Sequence, residues 1–98
     1  MKIVRDAVAG TLESSDVLVK IGPGRTGHLD IHVRSAVMRQ FGERIREVAA
    51  ETLASLQVGE GDVAIDDKGA FDCVIRARVQ AAVLRATESD ALPWERLG

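Results

Sequence analysis

The sequence is poor in the residues that usually brace or furnish a small domain: one cysteine, one tryptophan, two phenylalanines and no tyrosine in 98 residues. A lone Cys73 cannot close an internal disulfide, and a structural zinc site needs about four ligands, so stability must come from packing. Neither sign of charge dominates, since 13 basic and 15 acidic side chains leave a formal charge of -2. There is no basic stripe and no acidic tail, which argues against nucleic acid as a partner. Apolar runs are only a few residues long, far short of the ~20 needed to span a bilayer. The opening residues Met1 to Asp6 lack the apolar region of a secretory signal. The expectation is a cytoplasmic chain with no membrane partner.

What is there is one domain's worth of residues. A chain of 98 residues, 46% of them hydrophobic, buries roughly two thirds of the surface it exposes when unfolded. That supports one sheet packed on helices but hardly a deep, dry catalytic pocket. The domain is taken as residues 1–98, with 90–98 as a flexible or docking tail.

The first third has a period of two. Val4, Ala7 to Gly10 and Leu12 suggest an irregular first strand, and Val17, Val19 and Ile21 a second. Between them the polar run Glu13-Ser14-Ser15-Asp16 reads as a hairpin tip. After the loop Gly22-Pro23-Gly24-Arg25-Thr26-Gly27, Leu29, Ile31 and Val33 alternate with His28, Asp30, His32 and Arg34, predicting a half-buried strand. From Ser35, a suitable N-cap, the period becomes helical through Met38, Phe41, Ile45, Val48, Leu53 and Leu56. This helix should end near Gln57, before Gly59 and Gly61. Asp62 to Asp66 read as a short strand, closed by the turn Asp67-Lys68-Gly69. Residues 71–80 fit either a strand or a helix with Phe71, Ile75, Val79, Ala82 and Ala86 on one face. The absence of a breaker up to Thr87 decides for helix. The order β-β-β-α-β-α predicts an α+β fold, with two helices on one face of a mainly antiparallel sheet.

Several residues invite a chemical reading. His28, Asp30 and His32 share one strand face at metal-ligand spacing, although the same pattern describes the wet side of a strand. The glycine-rich loop 22–27 lacks the Gly-Lys-Ser/Thr ending of a P-loop and precedes no helix, so it reads as a connection. Cys73 fits a buried structural thiol better than a nucleophile. Arg76, Arg78 and Arg85 could form a basic patch for an anion or an acidic partner. Ser14 and Ser15 have no nearby histidine to activate them. An exposed tip does, however, suit a hydroxyl that another enzyme modifies.

Three segments carry a family resemblance: Ala7-Val8-Ala9-Gly10-Thr11-Leu12-Glu13-Ser14-Ser15-Asp16-Val17, the stretch Asp66-Asp67-Lys68-Gly69-Ala70 with Asp72-Cys73 and Arg76-Ala77-Arg78, and the ending Ala91-Leu92-Pro93-Trp94-Glu95. In order and spacing they resemble the acyl carrier protein of citrate lyase, its gamma subunit. The resemblance implies a non-catalytic carrier that binds no metal itself. It implies that Ser14 bears a 2'-(5''-phosphoribosyl)-3'-dephospho-CoA group through a phosphodiester, with Ser15, where the family often has glycine, as the alternative hydroxyl. Asp16 completes the turn. The implied partners are the alpha subunit, which exchanges acetyl for citrate, the beta subunit, which cleaves the citryl thioester, a prosthetic-group transferase and an acetylating ligase. Related readings are the acyl carrier of malonate decarboxylase, which the Leu92-Pro93-Trp94-Glu95 ending disfavours, and a scaffold module acting through its helices and Trp94.

Overall fold

A computed structural model describes residues 1–25, 27–35 and 40–87, and the predicted tail with Trp94 lies outside them. Four strands form, β1 (Ala7–Gly10), β2 (Val17–Gly22), β3 (Leu29–Ser35) and β4 (Gly61–Asp67), with two helices, α1 (Gln40–Ser55) and α2 (Asp72–Ala86). The sheet order is β1-β2-β4-β3. Both pairings of β2 are antiparallel, whereas β3 and β4 run parallel and are joined across α1. A parallel pair needs such a crossover, because a tight turn cannot return the chain to the same end of the sheet.

Alternation in each strand decides which face is dry. Ala9, Val19 and Ile65 are aligned across β1, β2 and β4 and buried, as are Ile21 and Val63 in the next row. Ile31 and Val33 continue these rows at the β3 edge, half-buried against the core. Both helices pack here: α1 contributes Ile45, Val48 and Leu53, and α2 contributes Ile75, Val79 and Val83. Full burial of each such aliphatic side chain contributes ~1.5–3 kcal/mol. The other face of the sheet carries Val8, Lys20, Ala64 and His32 in one cross-strand row, and among the described residues no helix covers it.

The predicted element order, the helical reading of 71–87 and the placement of both helices on one face all match. Two local readings, for Phe71 and Cys73, do not. Phe71 does not join the buried face of α2; it stands at the cap position just before the helix, with extended backbone at φ -71° and ψ 159°, and is 76% exposed. Cys73, in the first turn of α2, is exposed and not buried, since the inward stripe of that helix begins at Ile75. Ser35 ends β3 and its hydroxyl donates to Asp67 Oδ2 at 3.1 Å, while the residues its predicted cap would serve lie outside the described ones.

The end of α1 is closed by backbone bonds in a Schellman pattern: Gln57 N–H donates to Ala54 O at 3.0 Å and Val58 N–H to Leu53 O at 3.0 Å. Gln57 has φ 58° at the position glycine usually fills. Buried Asp67 organises the turn between β4 and α2. Its carboxylate accepts from Gly69 N–H and Ala70 N–H, both at 3.0 Å, as well as from Ser35.

Candidate functional site

The hairpin between β1 and β2 turns through Glu13-Ser14-Ser15-Asp16, closed by Asp16 N–H donating to Glu13 O at 3.1 Å. Of the two central residues only Ser15 has a positive φ, 67°. That is the pattern of a type II turn, whose third position favours glycine. Replacing a left-handed serine by glycine relieves the Cβ conflict but frees the unfolded chain, so Ser15→Gly is expected to stabilise the domain by about 0.5–1 kcal/mol. Thermal melts of the two proteins check this.

Asp16 holds the turn in shape. Its Oδ1 accepts from Val17 N–H at 2.8 Å and from Arg78 Nε at 3.1 Å. Its Oδ2 accepts from the Thr11 hydroxyl at 2.7 Å and from Arg78 Nη2 at 3.0 Å. Thr11 Oγ1 in turn accepts from Glu13 N–H at 3.1 Å. The two-pronged guanidinium contact joins α2 to the tip across 62 positions of sequence. With donors on both oxygens, first Thr11 and then Arg78, the Asp16 carboxyl falls from 3.8 to about 2.

A carboxylate so lowered favours the fold fully above its unfolded pKa, near 3.8, and loses that contribution as pH falls through about 2. The stability difference between the wild type and Asp16→Asn is therefore expected to be constant near neutrality and to close between about pH 4 and 2. Chemical denaturation at a series of pH values reads it; a difference that persists unchanged at pH 2 would contradict it. The same chemistry removes Asp16 as a base, because its lone pairs are engaged and its proton affinity is low.

Two further contacts hold the tip from below. Ser15 N–H donates to Lys68 O at 2.8 Å, and Lys68 N–H donates to Asp16 O at 2.9 Å, extending the β2/β4 ladder into the turn. Gly10 makes room at the base of the hairpin: φ is 92°, and a Cβ there would collide with Val17 O and crowd Arg78 Cδ. Ser14 itself is exposed at the apex. It is thus a presented hydroxyl on a braced turn.

The remaining sequence candidates are dispersed. His28, Asp30 and His32 do not converge on a metal site: His32 pairs with Asp62 at 3.4 Å, Asp30 lies 3.9 Å from Arg25, and no metal-type cluster exists among the described residues. The strand β3 is separated from the β1/β2 hairpin by β4. The loop after β2 is a packing feature, because a Cβ on Gly24 would lie 2.7 Å from the carbonyl carbon of Gly61. Arg76, Arg78 and Arg85 do not form one patch. Arg78 serves Asp16, while Arg85 Nη1 donates to Val8 O at 2.6 Å. Arg78 is the functional residue that sequence reasoning assigned wrongly, and only its place on α2 opposite the hairpin reveals its role. No described helix is long and apolar enough to cross a membrane.

On the bare sheet face, an open groove of ≈ 380 Å³ runs from Leu12, two residues before Ser14, past Leu18, Lys20, Ala64, His32 and Arg34. Its acidic member, Asp66, lies 3.5 Å from Lys68 Nζ, an ion-pair distance without hydrogen-bond geometry.

Comparison with known proteins bears on this site. The family model described as malonate decarboxylase delta subunit (MdcD) matches residues 4–86. The citrate lyase acyl carrier protein of Albidiferax ferrireducens is 61% identical over 97 residues, 99% of each chain. Those of Cronobacter sakazakii and Pectobacterium carotovorum are 60% and 58% identical over the same length, covering 99% of this chain and 99% and 100% of theirs. A chain in the crystal structure of a Pseudomonas malonate decarboxylase hetero-tetramer in complex with malonate has a TM-score of 0.74 and 26% identity, with 85% of this chain and 84% of that one covered.

Proposed function

The chain belongs to the citrate lyase acyl carrier protein family, and from that membership we propose that it is a non-catalytic carrier whose Ser14 bears a 2'-(5''-phosphoribosyl)-3'-dephospho-CoA group through a phosphodiester. The observation that carries the reading is the exposed Ser14 hydroxyl at the apex of a turn braced by Asp16, Thr11, Arg78 and Lys68. An attaching transferase must enclose its acceptor, and a projecting rigid turn offers one without unfolding the domain. Ser15, whose amide is tied to Lys68 and whose backbone turns the chain, is the alternative acceptor.

When attached, the group supplies a thiol at the end of a long arm, on which acetyl and citryl units travel as thioesters. The residues of this chain mount and orient it. Arg78 offsets the Asp16 charge that would otherwise face the phosphodiester at short range. The two short backbone bonds to Lys68 keep the mount fixed relative to the sheet. A tether of this kind holds its cargo at an effective concentration in the mM range for sites it can reach. Those sites belong to an acyl-transferring alpha subunit and a cleaving beta subunit, with an acetylating ligase recharging the thiol in the cytoplasm. The carrier of malonate decarboxylase is the second reading, favoured by the family model and the hetero-tetramer chain. The relatives at 58–61% identity, matched through the final residues, support the first.

The test is the intact mass of the chain isolated from its own host during growth on citrate. A single adduct of the prosthetic group is expected, together with an acyl increment that neutral hydroxylamine removes. A bare polypeptide mass from that source would overturn the proposal.

A further inference from the structure

From the groove on the uncovered sheet face we infer a second role for this domain: a berth in which the group carried by Ser14 rests between transfers. The inference builds on the proposed attachment at Ser14. Three observations converge on it. The groove opens at Leu12, which is 54% exposed although large and apolar, and which leads directly into the Ser14 turn. Its floor is apolar, formed by Leu18 and Ala64. Along its length stand two cations, Lys20 on β2 and Arg34 on β3, and neither has a carboxylate partner among the described residues.

The other ionisable side chains lining the groove already have partners, His32 beside Asp62 and Asp66 beside Lys68. Lys20 and Arg34 are thus the groove's uncompensated charge, and they sit on strands about 10 Å apart with β4 between them. An occupant must be anionic at intervals, apolar between, and narrow. A group containing a diphosphate, an adenine and a pantetheine stem has that alternation. A volume of ≈ 380 Å³ is within the range of small-molecule sites, ~300–1,000 Å³, and holds part of the arm at a time. A protein partner would need ~1,000 Å² or more of complementary surface, which this furrow does not offer.

Weak binding suffices. A tethered group at mM effective concentration is about half seated if the free ligand binds with a Kd near 1 mM, and it then leaves fast enough to reach other subunits. Lys20 and Arg34 take the phosphates, and Leu12 and Leu18 contact the adenine or the stem.

The experiment titrates 3'-dephospho-CoA into the unmodified, 15N-labelled chain, made where the attaching enzymes are absent. Amide shifts are expected at Leu18, Lys20, His32, Arg34 and Ala64, fitting a Kd of about 1 mM. The double variant Lys20→Ala/Arg34→Ala, both positions exposed, is expected to weaken binding at least about fivefold with its remaining spectrum unchanged. The host-derived chain, its adduct verified by mass, is expected to show the same amides displaced without added ligand. Absence of shifts in the groove up to about 5 mM, shifts confined to the Phe71 end of α2, or equal binding by the double variant would each overturn the berth. A host chain without adduct would instead refute attachment while leaving the titration of the unmodified chain to decide the groove.

Discussion

A chain carrying Ser14→Ala is expected to come out of its native host with the mass of the bare polypeptide, still bound to its partner subunits, in a complex that no longer cleaves citrate. The substitution removes the acceptor oxygen and little else. Ser14 is exposed, its φ is not left-handed, and the turn around it is held by Thr11, Ser15, Asp16 and Lys68. Folding and docking should therefore survive, with Tm unchanged to within a degree or two. What disappears is the tether, and with it the 10²–10⁴-fold advantage, roughly, of a linked over a free acyl donor. Ser15→Ala is the control, because it keeps the Ser14 oxygen and should retain both adduct and activity. If Ser14→Ala retains the adduct and Ser15→Ala loses it, the acceptor is the neighbouring hydroxyl.

The second large effect concerns Gly10. Its φ of 92° disfavours any L side chain, and an added Cβ would run into Val17 O across the hairpin. Left-handed strain of ~1–2 kcal/mol combines with a backbone clash that a rigid ladder cannot absorb, so Gly10→Ala is expected to cost about 3 kcal/mol. In a domain of this size that lowers Tm by roughly 12–24 °C. The damage should be local in origin. Because Arg78 Cδ lies beside the same position, the Arg78 to Asp16 contact loosens first, and hydrogen exchange at Asp16 and Val17 should accelerate before the rest of the sheet. A circular-dichroism melt unchanged by Gly10→Ala would contradict the packing described here.

Much of this scaffold was legible in the residues because one dry face imposes a period. The rows Ala9-Val19-Ile65 and Ile21-Val63 follow from alternation, and the inward stripe of α2 follows from Ile75, Val79 and Ala82. The turn at residues 13–16 was legible from its polar content, whereas the left-handed backbone of Ser15 came only from the structure. Other features were not. Period two says nothing about which strand neighbours which, so the parallel pairing of β3 with β4 came only from the structure. Phe71 was assigned inward by its helical spacing to Ile75 and Cys73 by residue type, but both precede Ile75, where the buried stripe of α2 begins.

Of the site, Ser14 stood out as the proposed acceptor through family resemblance and its place at the expected tip. Its brace was half visible. Asp16 and Thr11 are local, whereas Arg78 arrives from 62 positions away, and nothing about an arginine on a helix surface marks it as a turn anchor. The groove was out of reach for the same reason. Leu12, Lys20 and Arg34 lie on separate segments, and only the order β1-β2-β4-β3 gathers them on one wet face.

The central claim is that the reactive group hangs from one oxygen of this chain. The most direct measurement is tandem mass spectrometry of the tryptic peptide spanning residues 6–20, prepared from protein isolated from the native host. Fragment ions are expected to place a single phosphoribosyl-dephospho-CoA adduct on Ser14, with Ser15 unmodified. A peptide recovered without the adduct, or with it on any other residue, would contradict the account.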